Sequence, residues 1–391
     1  MAKSLFIAST SQDIGKTSIS LGLIHLLGKK FKKIAFIKPL AQRYVQLSET
    51  KIGEDVLLIK ESFALPYLIE DMSPLIIERG FTEKYIKGEI KRGLAKKIRD
   101  AYEELAKESD LVLIEGTGHA GVGSVMELSN AEVAKLLEAD VLLVCGGGIG
   151  QSIDEITLNK SFFEEKGCKV IGVIINKILE EKYDKISSLL KRYLKRKSIP
   201  LFGLLPYRSL LSSPPLWLIA QQTGANILSG KGRLEKNIER IIVGTMEPET
   251  ILELLRDIRQ QTLLITSSDR IDLLLAVFTT YFRNIGNAHN LAGVLLSGSR
   301  ELPQSIKDIL GSMDIPVLLV DKDIYDLASQ IYSLRTKITS QDNEKIAALK
   351  KLAEDYIDIE PLSKILSSEQ ERIKKGWKEK IIGFLRGLGR G

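Results

Sequence analysis

The stretch Lys3-Ser-Leu-Phe-Ile-Ala-Ser-Thr-Ser-Gln-Asp-Ile-Gly-Lys-Thr-Ser18 decides how the rest of the chain is read. Its apolar first half predicts a buried strand, its small polar residues a tight loop, and Gly15-Lys16-Thr17 the start of a helix. In such a loop successive backbone N–H groups point inward, and the new helix adds its positive dipole end, so the concavity attracts phosphate. Thr10, Ser11, Gln12, Asp13, Ile14, Gly15, Lys16, Thr17 and Ser18 are therefore the candidate contacts to a bound phosphate group. Lys16 is placed to meet the β- and γ-phosphates, and the Thr17 hydroxyl to sit on a Mg²⁺ ion.

The common pattern places a glycine five residues before Gly15, where this chain has Thr10. Context compensates for that departure. Ser18–Leu27 follows with Ile19, Leu23, Ile24 and Leu27 at helical spacing, so the strand–loop–helix sequence is complete.

At 391 residues, 44% apolar and 27% charged, the chain is expected to form two globular domains. No apolar run reaches membrane-spanning length, and only two residues precede the first strand, which predicts a cytoplasmic protein. Cys145 and Cys168 are the only cysteines and are expected to be buried. Of the net charge of +6, much lies in residues 369–391, with seven Lys and Arg against three Glu. The nearly neutral remainder argues against a nucleic-acid partner, which needs a basic face on the folded domain.

Along the chain, residues 33–39 form a second strand that Pro39 ends, so Lys38 projects at its carboxyl end, where parallel α/β sheets open their ligand crevice. Residues 48–80 read as an irregular insertion with short helices, and residues 82–109 as one long, charge-laced helix. The run Asp110-Leu-Val-Leu-Ile-Glu-Gly116 is a buried parallel strand. Glu115 ends it, in the place where nucleotide-hydrolysing enzymes hold Mg²⁺. His119 stands just beyond, in a glycine-rich loop. A strand at 141–145 leads into glycines 146, 147, 148 and 150, which either approach phosphate or turn the chain. Ser152 and Glu155 are read as a capping box. The strand 170–177 carries Asn176 at its end, where an amide suits the edge of adenine.

Ser9-Thr-Ser-Gln-Asp-Ile-Gly-Lys-Thr17, Lys38-Pro39, Glu115-Gly116, Asn176 and Gly203-Leu-Leu-Pro206 together resemble the dethiobiotin-synthetase-like P-loop domain. That domain occurs alone or ahead of phosphotransacetylase, and is related to the cobyrinic acid diamide synthases. In the family the phosphate loop is one residue longer, which puts the early glycine's place at Ser9. The resemblance implies ATP and Mg²⁺ as cofactors, with Asp55 and Glu115 joining Thr17 as metal ligands and Asn176 reading adenine. Lys16 and Lys38 would then be the catalytic lysines, Lys38 holding a carboxylated acceptor. The synthetase's serine four residues after that lysine is replaced by Gln42, which argues against diaminopelargonate as substrate.

From residue 211 the pattern restarts. Residues 224–232 read as a loop, after which strands and helices alternate to about residue 335. Ser229-Gly-Lys-Gly232, Val243-Gly-Thr-Met246 and Ser268-Asp-Arg270 resemble a DRTGG domain without its naming pentapeptide, which implies regulation more than chemistry. The expected fold class is thus α/β: a P-loop NTPase domain with a mostly parallel sheet over 1–210, then a smaller α/β DRTGG-like domain over 211–335. Residues 336–391 follow as a C-terminal helix and basic tail. The glycines of that tail argue against a membrane-bound helix. Two strands of the second domain look apolar on both faces, which suggests a homo-oligomer. The expected function is phosphoryl transfer from Mg-ATP to a small-molecule acceptor of carboxylate type. The alternative is a nucleotide-sensing regulator without catalysis. Glutaminase and acetyltransferase activities are expected to be absent, the first because no cysteine follows Cys168. The second expectation rests on the chain's ending after the DRTGG-like region.

Overall fold

A computed structural model describes residues 2–47, 49–90, 93–256, 259–283, 290–299, 302–334 and 336–367. Six apolar runs of the N-terminal region become the strands of one sheet: β1 (Lys3–Ser9), β2 (Ile34–Ile37), β3 (Leu111–Glu115), β4 (Asp140–Gly146), β5 (Val170–Ile178) and β6 (Leu201–Pro206). They pair in the order β6-β5-β4-β1-β3-β2, every pair parallel. A parallel sheet needs helical crossovers covering both faces, which is why these strands are apolar throughout rather than alternating. The longer helices before the second unit include α1 (Lys16–Leu27), α2 (Glu54–Phe63), α3 (Leu94–Glu108), α4 (Asn130–Leu136), α5 (Gly150–Glu165) and α6 (Tyr183–Arg196). From β1 the chain runs to β2 on one side, and from β3 it crosses to β4 on the other. A crevice therefore opens at the carboxyl ends of β1 and β3.

Two local expectations are corrected, and that for residues 48–80 is made specific. Residues 82–109 are not one helix: Phe81–Ile86 and α3 are separate, because Gly88 and Gly93 take φ of 75° and 109°, in the left-handed region that ends a helix. Within 48–80, α2 is a full helix following the hairpin of Tyr44–Leu47 and Thr50–Gly53, and Asp55 lies in its first turn. Ser152 caps nothing, since α5 begins at Gly150; its hydroxyl donates to the carbonyls of Gly146 and Gly148. A complete capping box instead joins Ser129 and Glu132 at the start of α4.

The described residues from Ile338 onward return to the N-terminal unit, although they follow the second unit in sequence. Helix α12 (Asn343–Tyr356; α7–α11 lie in the second unit) lies against α1 so closely that a Cβ on Gly22 would stand 2.7 Å from that of Ala353. At its end Ile357 bridges Gly203 on the edge strand β6, and Asp358 N–H donates to the Phe202 carbonyl at 2.7 Å. The tail beyond, for which membrane contact was weighed in sequence, lies outside the described residues.

The second unit, Arg208–Lys337, contains its own sheet. Its strands are β7 (Asn226–Ser229), β8 (Arg240–Val243), β9 (Thr262–Ser267), β10 (Leu291–Ser297) and β11 (Val317–Val320), in the order β7-β11-β10-β9-β8. Only β7 runs antiparallel. It arises from residues that sequence assigns to a loop, an edge strand whose pattern is too short and polar to show. Helices α8 (Pro248–Arg256), α9 (Ile271–Phe282) and α10 (Gln304–Gly311) cover one face through Ile251, Leu274 and Ile306. Helices α7 (Leu216–Thr223) and α11 (Ile324–Tyr332) cover the other through Ile219 and Leu327. Both apolar faces are thus buried within the unit, and the packing need that suggested a second copy is met internally.

Candidate active site

Gly15 ends the phosphate loop at φ 93°, a left-handed conformation that suits glycine, and a Cβ there would press to 2.7 Å on Asn176 Nδ2. Among the described residues no side chain caps the N-terminus of α1, where a helix start leaves its first N–H groups without helical partners. That is the arrangement an anionic phosphate requires.

The loop is braced from three sides. Asn176 at the end of β5 donates through Nδ2 to the Ile14 carbonyl at 2.8 Å, while its Oδ1 accepts from Lys177 N–H at 2.9 Å. Lys177 Nζ donates to the Asp13 carbonyl at 2.6 Å. Thr10 Oγ1 donates to Glu155 on α5 at 2.5 Å, and the Ser11 carbonyl accepts from Ser9 Oγ at 2.5 Å. Asp13 takes φ 57°, Gln12 is exposed and Ile14 is buried. The side chain of Asn176 therefore ties strand to loop, in addition to any role toward a base. Gly147 leaves no room for a side chain against the backbone of Lys177 and Ile178, so that glycine serves strand packing.

Lys16 folds across the loop and donates to Ser9 Oγ at 2.7 Å and the Gly118 carbonyl at 3.2 Å. Thr17 and Ser20, three residues apart on one face of α1, both donate to the wholly buried Glu115, at 2.9 Å to Oε1 and 2.7 Å to Oε2. Gly116, next to that acid, has no space for a Cβ, which would meet Phe6 and Asn130 at 2.7 Å.

Lys38 enters the same cluster. Its Nζ lies 2.6 Å from Glu115 Oε1 and 2.8 Å from Asp55 Oδ2, with the lysine only 5% exposed. Burial alone pulls the ammonium toward its neutral form, but the two carboxylates together outweigh it and hold its pKa above the ordinary lysine range. Sequence reasoning assigned Asp55 and Glu115 to a metal and Lys38 to an acceptor. The structure brings all three, with Thr17, into one buried constellation. The donor set of two carboxylates and a hydroxyl is the hard-oxygen chemistry that suits Mg²⁺. The point between the two acids is the place where Lys38 puts its positive charge.

Sequence reasoning did not single out Ser20, Gly118 and Lys177 as site residues, and it read Glu155 only as part of a capping box. Ser20 had a signal, since it lies one helical turn from Thr17. The others depend on contacts across 100 residues or more. Cys145, at the end of β4, is fully buried, and burial pushes its thiol up to about 11, so it is no nucleophile.

A parallel sheet with a glycine-closed loop, an uncapped helix N-terminus and a buried acid on the neighbouring strand defines an α/β protein of the P-loop NTPase class. Residues 3–215 match the AAA domain family model AAA_26, and the chain belongs to that family. Residues 218–334 match the DRTGG domain model. Similar curated proteins include phosphate acetyltransferases of Synechocystis sp., 29% identical over 94% of this chain and 52% of that protein. That of Nitratidesulfovibrio vulgaris is 26% identical over 95% and 53%. The chain thus spans about half the length of these relatives, which carry the same arrangement of domains in their N-terminal part. Among solved structures, the MinD cell division protein of Aquifex aeolicus aligns with 53% of this chain and 83% of its own at 18% identity and a TM-score of 0.34. No helix among the described residues is long and apolar enough to cross a membrane.

Proposed function

We propose that the N-terminal unit binds ATP with Mg²⁺ and that the nucleotide acts as a signal, regulating an acetyl-transfer activity of the kind for which its relatives are named. The observation that carries this reading is the Lys38–Asp55–Glu115 cluster. A sensor needs groups whose arrangement depends on the bound ligand, and here a lysine ammonium stands between the two carboxylates that the reading gives to the metal. Lys16, Thr17 and the N–H groups of the first turn of α1 would hold the phosphates. Thr17, Asp55 and Glu115 would hold Mg²⁺, which when bound neutralises phosphate charge. Lys38 would then be released from at least one acid and its charge redirected toward the terminal phosphate.

A second reading is phosphoryl transfer to a carboxylate-type acceptor, favoured by the place of Lys38 at a strand end beside that phosphate. A cation there stabilises charge that grows during transfer. In that case Lys38→Ala lowers kcat and kcat/KM together, whereas a sensor has no turnover to lose.

Calorimetric titration with ATP and ADP, with and without Mg²⁺, tests the reading. Lys16→Ala should weaken nucleotide binding itself. Glu115→Gln should leave Mg²⁺-free binding largely intact and remove the gain that Mg²⁺ gives. Wild-type protein should also melt higher in Mg-ATP, since ligand at 100 Kd contributes about 2.7 kcal/mol. Absence of any nucleotide binding would sink both readings.

A further inference from the structure

His119 stands beside the phosphate loop, and among the described residues no group engages the outer nitrogen of its ring. Its backbone is pinned. The His119 carbonyl accepts from Asn130 Nδ2 at 2.6 Å and from Val122 N–H at 3.0 Å. The preceding carbonyl, of Gly118, accepts from Lys16 Nζ at 3.2 Å and Ser9 Oγ at 3.0 Å. The ring is oriented as well, because Gly121 N–H donates to Nδ1 at 3.2 Å. A ring nitrogen that accepts from an amide carries no proton, so the neutral imidazole holds its proton on Nε2. The residue is exposed, so this donor is free to meet a ligand.

Its backbone adjoins the group that holds Lys16. One peptide unit, about 3.8 Å between Cα atoms, separates His119 from the residue whose carbonyl holds Lys16. Lys16 is the group that meets the terminal phosphates on the reading above, and the inference that follows rests on that reading. We propose that His119 donates its Nε2–H to an oxygen of the γ-phosphate, and that the loop from Gly116 to Gly123 thereby distinguishes ATP from ADP. A neutral imidazole is suited to the task, since it polarises an oxygen without surrendering its proton. The contact has a route outward. Asn130, the first residue of α4, also accepts from Thr117 N–H at 3.0 Å and donates to the Thr117 carbonyl at 2.8 Å, while Thr117 Oγ1 donates to the Leu40 carbonyl at 2.5 Å. A γ-phosphate that draws on this loop therefore pulls on α4 and on the segment after Lys38.

The test is calorimetric titration of the full chain with ADP and with a methylene-bridged, hydrolysis-resistant ATP analogue, for wild type, His119→Ala and His119→Gln. Among the described residues the ring's one hydrogen bond is that from Gly121 N–H, and the side chain is exposed, so both variants should fold. The expected result is at least about a tenfold loss of affinity for the ATP analogue in His119→Ala, with ADP affinity nearly unchanged. His119→Gln, which keeps an N–H donor, should recover part of the loss. Equal losses for both nucleotides, or no loss for either, would overturn the inference while leaving nucleotide binding intact. Wild-type protein that binds neither nucleotide would overturn the underlying reading together with it. Nitrogen-15 histidine spectra supply a second measurement: the chain has three histidines, and His119→Ala identifies the signal. A proton found on Nδ1 rather than Nε2 would refute the proposed donor.

Discussion

At the residue scale, Lys38 has the most specific consequence. Removing a buried partner leaves uncompensated charge, and Lys38→Met would leave Asp55 and Glu115 facing one another. The expected loss is about 3–5 kcal/mol in metal-free urea unfolding. Added Mg²⁺ should restore more stability to Lys38→Met than it adds to wild type, because the ion supplies the missing charge. An unchanged urea midpoint in the variant would contradict the cluster. Sequence showed Lys38 and Glu115 as strand-end charges, because each follows or closes an apolar run. It did not show them touching. Their contact follows from β2 and β3 being neighbours, a pairing that strand order sets and periodicity does not record.

Among the elements, the pair α1 and α12 carries two predictions. Gly22→Leu should force the helices apart and destabilise the N-terminal unit by about 1–3 kcal/mol, read as a lowered urea midpoint. A mid-helix glycine costs up to about 1 kcal/mol relative to alanine, so its presence was itself a hint of a close neighbour. The partner was not legible, since α12 reads only as an amphipathic helix. The second prediction concerns Glu354, on α12, which lies 2.7 Å from Lys29 and 2.9 Å from His25 of α1. Hydrogen bonds from Lys29 and then His25 hold its carboxyl down to about 2. A folded pKa below the unfolded one stabilises above the unfolded value, near 4.5, and the effect fades as pH falls toward 2. The urea midpoints of wild type and Glu354→Gln should therefore differ near neutral pH and converge near pH 2. The side chains are exposed, so the difference should also shrink at high salt. A gap that persists at pH 2 would point to a cause other than this carboxylate.

For the whole molecule, the division into units predicts unequal fragments. Residues 208–337 hold both faces of their sheet covered and should unfold cooperatively when produced alone, as followed by circular dichroism in urea. Residues 1–207 lack α12 and the bridge to β6, and should melt well below the same region within the full chain. Equal melting would mean that the C-terminal return contributes nothing. The alternation of strands and helices made both α/β units legible, because buried parallel strands are short apolar runs between longer periodic segments. The return was not, since a helix that follows a domain in sequence carries no mark of which domain it joins.

That return also sets an order of events during synthesis. The Thr336 hydroxyl donates to the Ser212 carbonyl at 2.9 Å, so the second unit begins and ends at nearly one point. It is in effect inserted between the body of the N-terminal unit and that unit's last piece. A ribosome adding about 5–20 residues per second would need roughly 8–30 seconds to make the intervening 150 or so residues. Throughout that interval the nascent phosphate-loop unit exposes the groove of α1 and an unpaired strand edge, a window in which a chaperone could bind it.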